Sequence, residues 1–343
     1  MAYTTIPKPT DYYNTKLYTG NGGTQSITGV EHQPDLVWVK QRNGSAYHQL
    51  TDVIRGANSQ AASNATGLGA SNTCLTAFNS DGFALGSNGD VNGNNLTYVS
   101  WNWKGNGTGA SNTNGSITST VSANATSGFS VVNYTASSAA AATVGHGLGV
   151  VPGVIIIKCI NQGESWCVYH ESLGATKNMT LNSTSAVATS AAEFNNTAPT
   201  NSVFTVSGNS DRTGGGLNYL AYCFAEKQGF SKISSYTGNG HINGTFVYTG
   251  FKPAFILIKN TENGARNWQI YDSKRIGYNY NNYRMAVNLP QTEESNLNLD
   301  IYSNGFKTLT TDADVNENAK KYIYLAFAEE PLVGTNNIPA TAR

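Results

Sequence analysis

The apolar residues of this chain form short runs with strand periodicity, separated by polar segments rich in turn residues. Residues 154–157 and 255–258 are continuous apolar runs that follow a proline, a pattern typical of strands covered on both faces. Helical spacing is nearly absent, and the alanine run at 139–142 leads into closely spaced glycines. The pattern therefore predicts an all-β protein.

One apolar phrase occurs three times, at a spacing of roughly 100–120 residues. Each copy holds a proline, an apolar run and a closing lysine, at residues 33–40, 151–158 and 252–259. A Tyr-Thr pair precedes each phrase, and an apolar strand closes each copy, at 98–103, 219–224 and 322–327. Landmarks repeated in the same order indicate tandem duplication of a unit of domain size.

These repeats predict three tandem antiparallel β-sandwich domains of jelly-roll or concanavalin-like type. The predicted segments are an N-terminal arm (1–16), repeat 1 (17–104), a Gly/Asn/Ser/Thr linker (105–127), repeat 2 (128–226), repeat 3 (229–330) and a C-terminal tail (331–343). The short junction at 227–228 predicts rigid packing of repeats 2 and 3, and the long linker predicts freer movement of repeat 1.

The closing strands carry large residues on one face and mostly small residues on the other. The large sets are Val99/Trp101/Trp103, Leu220/Tyr222/Phe224 and Ile323/Leu325/Phe327. We expect the large face to fill a sandwich core and the small face to lie close against a neighbouring element.

Charge and composition exclude several classes of partner. Only 12% of residues are charged and the formal net charge is zero, which argues against nucleic-acid binding and against a polybasic membrane anchor. No apolar run reaches the roughly 20 residues that span a bilayer, and the first residues lack a secretory pattern, so we expect synthesis in a cytoplasm. The four cysteines lack ligand spacing and are predicted to be buried thiols.

A candidate metal loop lies before the last closing strand. Asp312, Asp314 and Asn316 place oxygens at alternate positions, as in the first half of a calcium loop. Glu317 stands where an EF-hand needs glycine, and polar turn residues also explain the segment. We predict no cofactor, with calcium as the alternative.

Aromatic residues are the candidate ligand contacts. Trp166 and Trp268 hold corresponding positions in repeats 2 and 3. Tyr278, Tyr280 and Tyr283 cluster in a Tyr/Asn-rich segment. Aromatic rings beside amide and carboxylate groups suit sugar rings, whereas burial of both tryptophans in the core is the alternative.

The N-terminal arm and the histidines complete the candidates. Tyr12 and Tyr13 are predicted to anchor the arm on a neighbouring subunit, and a frayed terminus is the alternative. The five histidines are scattered, and His170 and Asp272 hold corresponding positions in different repeats. Because neither a Ser/His/Asp triad nor a Gly-x-Ser-x-Gly elbow is recognisable, we predict that the protein is not an enzyme.

Four phrases of the sequence resemble a repeated domain of tailed-phage virion proteins, common in phages of cyanobacteria and other aquatic bacteria. They are Tyr-Thr-Gly-Asn-Gly at 18–22, Pro-Asp-Leu-Val-Trp-Val-Lys at 34–40, Asn-Ser-Asp-Gly-Phe at 79–83 and Ala-Tyr-Cys-Phe-Ala-Glu at 221–226. The resemblance covers roughly residues 17–330.

This resemblance implies a tail-fibre or appendage protein of the virion, assembled in the host cytoplasm, without an established active site. Its implied partners are other virion proteins, further copies of the chain and a host cell-surface glycan. Large fibres carry a long N-terminal attachment region that this sequence does not show, which favours the alternative of a capsid decoration protein. A free glycan-binding lectin or hydrolase is the third hypothesis.

Overall fold

The computed structural model describes residues 3–67, 74–276, 278–279, 283–333 and 339–341. The regular secondary structure of these residues is antiparallel β-strand, apart from a single-turn helix α1 (Gly89–Asn92) and a 3-10 turn at Pro9–Asp11. The prediction of an all-β protein is confirmed.

The strands fall into three groups that follow the repeats. The first group is β1 (Tyr13–Thr19), β2 (Gln25–Thr28), β3 (Leu36–Gln41), β4 (Gln49–Asp52), β5 (Gln60–Ala62), β6 (Leu75–Asn79), β7 (Gly82–Leu85) and β8 (Thr97–Trp103). The second is β9 (Ala110–Asn112), β10 (Ser119–Asn124), β11 (Phe129–Thr135), β12 (Ala142–Gly145), β13 (Val154–Cys159), β14 (Cys167–His170), β15 (Lys177–Thr180), β16 (Ala188–Thr189), β17 (Val203–Val206) and β18 (Asn218–Phe224). The third is β19 (Ser231–Thr237), β20 (Phe246–Tyr248), β21 (Phe251–Asn260), β22 (Trp268–Asp272), β23 (Met285–Ala286), β24 (Leu299–Tyr302), β25 (Gly305–Thr308) and β26 (Lys321–Pro331).

Each repeat builds one large sheet with the same strand order. The orders are β1-β8-β3-β4-β5, β11-β18-β13-β14-β15 and β19-β26-β21-β22-β23. The second sheet continues to eight strands through β16 at one edge and β10 and β9 at the other. Each repeat also has a small sheet, in the orders β2-β7-β6, β12-β17 and β20-β25-β24.

Residues of the Pro…Lys phrase alternate between two cores. Val154 and Ile156 of β13 lie in the largest hydrophobic core, whereas Ile155 and Ile157 lie in a smaller core of repeat 2. Because successive side chains of a strand point to opposite faces, a continuous apolar run satisfies both cores. The prediction that these runs are strands covered on both faces is confirmed.

The largest core, here the central core, takes side chains from all three repeats. Trp103 lies near its middle, with ring centroids 5.1–6.4 Å from aromatic rings of every repeat: Tyr13, Phe129, Phe224, Phe255 and Phe327. The three large sheets therefore face one another around a shared interior.

The closing strands are oriented differently from our expectation. Their large faces meet one another in the central core, and small residues such as Ala221 and Cys223 face the core of their own repeat. The residue sizes predicted two different environments correctly, but they did not indicate which face met which neighbour. The large faces of all three closing strands can be shielded from water at the same time only if the three sheets pack around a common centre.

Two expectations about the connection between repeats 1 and 2 are wrong. The predicted linker at 105–127 contains β9 and β10, which extend the sheet of repeat 2, and the Gly105 amide donates to Asp35 Oδ2 of repeat 1 at 2.7 Å. Repeat 1 does not move freely, because its Trp101 and Trp103 are buried in the central core. The Gly/Asn/Ser/Thr composition suits exposed edge strands as well as linkers.

The four cysteines are buried and unbridged, as predicted. Within the predicted C-terminal tail, the Ala340 amide donates to the Leu332 carbonyl oxygen at 3.0 Å.

We expect Trp103→Ala to destabilise all three repeats together. The substitution opens a cavity between rings of every repeat, so the free energy of unfolding should fall by about 3–5 kcal/mol. Guanidinium unfolding followed by tryptophan fluorescence and by circular dichroism should give coincident single transitions. Thr120→Ala on the exposed face of β10 is the control and should shift stability by about 0.5 kcal/mol or less. Separate transitions for one repeat would contradict a shared core.

Candidate functional site

Trp166 and Trp268, which the sequence nominated as ligand contacts, are buried between repeats. Each indole donates its N–H to a carbonyl oxygen of the preceding repeat's large sheet. His48 holds the same position in repeat 1 and reaches repeat 3. The contacts join Trp166 to Ala62 at 2.8 Å, Trp268 to Thr180 at 2.9 Å and His48 to Ala286 at 3.1 Å. Ligand contact by Trp166 and Trp268 is therefore wrong, and burial in the core, the alternative, is what the structure has.

A second set of contacts runs in the opposite direction around the molecule. It uses the residue that ends β4, β14 or β22 and reaches the closing strand of the following repeat. Tyr222 donates its hydroxyl to Asp52 at 3.3 Å, Trp101 donates its indole N–H to Asp272 at 3.1 Å, and His170 Nε2 lies 3.2 Å from the Tyr324 carbonyl oxygen. Every repeat thus contacts both others through equivalent positions. This is a closed ring of head-to-tail interfaces within one chain.

Repeat 2 departs from the other two at this position. Asp52 and Asp272 each form a buried ion pair, with Arg55 and Arg275 respectively. His170 replaces the aspartate in repeat 2, and its Nδ1 accepts the Ser172 amide proton at 3.2 Å. Burial lowers the pKa of His170 to about 4, so the imidazole is neutral and its Nε2 donates to Tyr324.

The lysine that ends each apolar phrase is also used internally. Lys158 donates to the Thr66 carbonyl oxygen of repeat 1 at 3.0 Å, and Lys259 donates to the Thr184 carbonyl oxygen of repeat 2 at 3.2 Å. Burial lowers the pKa of each of these lysines to about 8. The lysines of repeats 2 and 3 thus donate to loop carbonyl oxygens of the preceding repeat, whereas Lys40 donates to the Gln41 and Gly44 carbonyl oxygens of its own repeat.

The predicted metal loop is a hydrogen-bonded turn. Asn316 Nδ2 donates to Asn239 Oδ1 and to the carbonyl oxygens of His241 and Thr310, at 2.8–3.0 Å. Asp314 Oδ2 accepts from Gln269 Nε2 at 2.6 Å, and Asp312 Oδ1 accepts the Asp314 amide proton. Asn316 thus directs its amide protons to oxygens of three other residues, while protein donors bind the Asp312 and Asp314 carboxylate oxygens that a metal would need.

Repeat 1 contains the same turn, with Asn92 in the place of Asn316. Asn92 Nδ2 donates to Asn21 Oδ1 and to the carbonyl oxygens of Gly23 and Gly86, at 2.8–3.1 Å. The Tyr-Thr-Gly-Asn-Gly phrase and the Asp/Asn loop therefore lie side by side in both repeats, which explains why both recur in the sequence. No cluster of three or more His, Cys, Asp or Glu suited to a metal occurs among the described residues.

The predicted docking arm binds within its own chain. Tyr13 is buried in the central core, with its ring stacked on Phe327 at 5.2 Å, and the Tyr12 ring lies 6.1 Å from Phe230. Thr4 Oγ1 donates to the Gln228 carbonyl oxygen. Anchoring of Tyr12 and Tyr13 on a neighbouring subunit is therefore wrong, because the aromatic surface that attracts them is supplied by repeat 3 of the same molecule.

The Tyr/Asn-rich segment is described only in part. Tyr278 is 67% exposed and Tyr283 is half-buried, whereas Tyr280 lies outside the described residues. Ligand contact by Tyr278 and Tyr283 stays a prediction.

The sequence analysis missed an exposed aromatic surface on the small sheet of repeat 3. Phe246 and Tyr248 of β20 are 45% and 54% exposed, because Val247 between them faces the core. The Phe246 ring packs edge-to-face on Tyr302 at 5.8 Å. The strand register places six residues on this surface, here the repeat-3 outer face: Phe246, Lys307, Asp300, Tyr248, Gly305 and Tyr302.

Repeat 1 gives an internal comparison for this surface. The equivalent register of β2, β7 and β6 places only small residues at the six positions: Ser26, Ala84, Ala77, Thr28, Gly82 and Asn79. The glycine is structural in both repeats, since a Cβ at Gly82 or Gly305 would meet a backbone oxygen at 2.0 or 2.1 Å. The three aromatic residues and the two charged residues are therefore particular to repeat 3 rather than requirements of the sheet.

A groove adjoins the repeat-3 outer face at Tyr248. It has a volume of about 390 Å³ and is lined by Tyr3, Glu226, Gln228, Gly229, Ser231, Lys232, Tyr248, Thr249 and Gly250. Tyr3 forms one wall, where its hydroxyl donates to the Gly250 carbonyl oxygen at 2.6 Å. The groove therefore lies between the N-terminal arm and repeat 3, and Tyr248 belongs to both the groove and the outer face.

The formal charges of this region sum to zero. Lys232 and Glu226 form an ion pair at 2.7 Å in the groove, and Lys307 is the cross-strand neighbour of Asp300 on the outer face. Burial and the neighbouring Tyr248 raise the pKa of Tyr3 to about 12, and burial together with Asp300 raises the pKa of Tyr302. Both hydroxyls are therefore protonated at neutral pH, and their oxygens can accept hydrogen bonds without charge.

The histidines and the helices give no further site. His32, His48, His146 and His170 are buried, each with a ring nitrogen within 2.8–3.2 Å of a backbone oxygen. No helix in the described part of the chain has the length and apolar character to cross a membrane. The signal that could have found the outer face is the contrast between Phe-Val-Tyr at 246–248 and Ser-Ile-Thr at 26–28.

We expect Asn316→Asp to lower the free energy of unfolding by about 3 kcal/mol. The substitution removes donors to three oxygens and places a carboxylate beside them. Asn318→Asp, the same change at an exposed position of the same loop, is the control and should be nearly neutral. Thermal unfolding with and without calcium measures both points, and a calcium-dependent rise of the wild-type melting temperature would reinstate the metal loop.

We expect His170 to make stability fall between about pH 6.5 and pH 4. The unfolded chain takes up a proton on His170 near pH 6.5, whereas the folded chain resists it until about pH 4. Stability contributed by the neutral imidazole is thus present above pH 6.5 and falls by about 1.4 kcal/mol per pH unit below it. Urea unfolding of wild type and His170→Gln at about pH 7.5, 6 and 5 should show a shallower decline in the variant. If the free energy of unfolding declined equally with pH in both proteins, His170 would not be the cause, since the carboxylates and the other histidines are common to both.

Comparison with known families matches residues 8–331 to a domain of unknown function (DUF7483). Neither a curated protein nor a solved structure matches the chain. The single family model spans all three repeats, in keeping with a ring that shares one central core. The chain belongs to the DUF7483 family.

Proposed function

We propose that this chain is a non-enzymatic structural protein of a bacteriophage particle, a tail-fibre or appendage module that contacts the host surface. The observation that carries this proposal is the division of its chemistry-bearing residues between interior and surface. The phrase lysines, the nominated tryptophans and most histidines make contacts inside the ring. The repeat-3 outer face and its groove present aromatic and hydrogen-bonding groups to the outside.

Such a division suits a module that binds rather than one that catalyses. A general acid or base needs a titratable group that reaches a bound substrate. His48 and His170 instead have their pKa lowered by burial, and both lie at interfaces between repeats. A rigid ring that holds one exposed face is the arrangement that repeated contact with a surface requires.

We further propose that each repeat is a β-sandwich domain of jelly-roll or concanavalin-like type, with its large and small sheets as the two layers. This is supported by the core of repeat 3, where Val247 and Phe306 of the small sheet pack with Ile256 and Ile258 of the large sheet. Repeat 1 has an equivalent set in Ile27, Phe83, Val37 and Val39. On this view the central core joins three sandwiches through their outer large-sheet faces.

The proposed partners lie outside the ring. The contacts that would otherwise join three separate subunits are made within one chain, so other virion proteins and further copies would bind exposed surfaces. The virion is the proposed location, with assembly in the host cytoplasm. A host cell-surface glycan is the proposed ligand of the outer face.

The experiment is to locate the protein in intact particles and to measure adsorption. Gold-labelled antibodies raised against the purified chain should mark the tail or an appendage of the phage that carries this sequence. The purified chain should also compete with particles for adsorption to host cells. Label confined to the capsid would support a decoration protein instead. Unlabelled particles would end the virion proposal, and release of reducing sugar from host polysaccharide would indicate a hydrolase.

A further inference from the structure

We propose that the repeat-3 outer face and the adjoining groove form a binding site for an uncharged saccharide. This inference rests on the proposed contact with a host surface and names the class of ligand. It begins with the two-by-three grid that the register of β20, β25 and β24 defines. Tyr248, Gly305 and Tyr302 form one row, and Phe246 and Lys307 begin the other.

The Phe246 ring covers the glycine of the grid. Gly305 pairs with Tyr248 on one side and with Tyr302 on the other, and a Cβ built on it would lie 3.1 Å from Phe246 Cζ. Gly305 is buried and Phe246 also packs edge-to-face on Tyr302, so a ligand ring meets the aromatic rings of Phe246, Tyr248 and Tyr302 rather than the glycine. The C–H faces of a pyranose pack on such rings, and its hydroxyls reach the polar groups at the edge of the grid.

The charges select the class of saccharide. On the outer face Lys307 stands opposite Asp300, and in the groove Lys232 pairs with Glu226 at 2.7 Å. The face and the groove each hold one cation and one anion, so neither an acidic sugar nor a cationic ligand meets a net opposite charge. Besides its ion pair, the groove presents the exposed residue Gln228, whose amide is a neutral donor and acceptor that complements hydroxyl groups.

The chemistry of the surface also separates a saccharide from an apolar partner. Tyr248 and Tyr302 carry hydroxyl groups, and Lys307 and Asp300 interrupt the apolar area of the grid. A lipid or an apolar helix would have to desolvate those charged groups, whereas a hydroxyl-rich ligand replaces the hydrogen bonds that they make with water. The groove volume of about 390 Å³ falls in the range of small-ligand sites, so Tyr248 can join one sugar on the face to another in the groove.

Repeat 1 supplies the variant that tests this site. Phe246→Ser with Tyr248→Thr installs the residues that repeat 1 carries at the same register positions, Ser26 and Thr28. Because an equivalent sheet already folds with these residues, the double variant should keep the wild-type melting temperature within a few degrees. Tyr47→Ser is the matched control, since Tyr47 is also an exposed tyrosine but lies in repeat 1, outside the grid.

The experiment measures binding of the full chain to defined oligosaccharides. Neutral gluco-, galacto- and manno-oligosaccharides form one arm of a glycan array, and uronate oligomers form the other. We expect wild type and Tyr47→Ser to bind at least one neutral oligosaccharide, and the double variant to bind it roughly tenfold or more weakly. Calorimetry on the best ligand checks the affinity ratio.

The outcomes separate this inference from the proposed function. Equal binding by the double variant, binding of uronates alone or binding of no oligosaccharide would overturn the saccharide site. If, in addition, the purified chain failed to compete with particles for adsorption to host cells, the proposal that this face contacts the host would also be wrong. Neutral binding that the double variant loses would support the site even if labelled antibodies failed to mark the virion, in which case the protein would be a free lectin.

Discussion

The central core imposes the constraint from which the rest of the structure follows. Each closing strand is buried on both faces, so each large sheet needs a partner on both sides. The small sheet covers one side, and the other side can be covered only by another repeat. The three large sheets have the same strand order and cover one another's remaining side, so that Trp103, Phe224 and Phe327 meet near the centre. No repeat could bury that face alone.

Closure of the ring determines which polar residues the chain can place inside. Polar groups that lie between repeats need hydrogen-bond partners, because an unsatisfied buried donor or acceptor is costly. The indoles of Trp166 and Trp268 and the ammonium groups of Lys158 and Lys259 donate to carbonyl oxygens of the neighbouring repeat. Residue types that suggest ligand binding or catalysis in a sequence are thus required here for the contact between repeats. His170 fits the same role with a neutral ring.

Part of this architecture could be predicted from the sequence. Continuous apolar runs such as Val-Ile-Ile-Ile at 154–157 identified strands covered on both faces, and the repeated landmarks identified equivalent positions. The large and small faces of the closing strands were also readable. The sequence did not indicate which repeat packs against each face, because residue size reflects the volume available at a position and not the element that borders it. Burial of Trp166 against Ala62, 104 positions away in the chain, depends on the closed ring and has no local signal.

The candidate site was missed for a related reason. Residues that recur in every repeat draw attention in a repetitive sequence, and in this molecule those residues maintain the ring. The outer faces of the small sheets are free of that constraint, because the ring contacts described above are made by the large sheets and their loops. A substitution there costs little stability, so one repeat can acquire Phe246, Tyr248 and Tyr302 while repeat 1 keeps small residues at equivalent positions. In a duplicated fold, departure from the repeat at an exposed position is therefore the stronger indication of function, and recurrence at a buried position is the stronger indication of architecture.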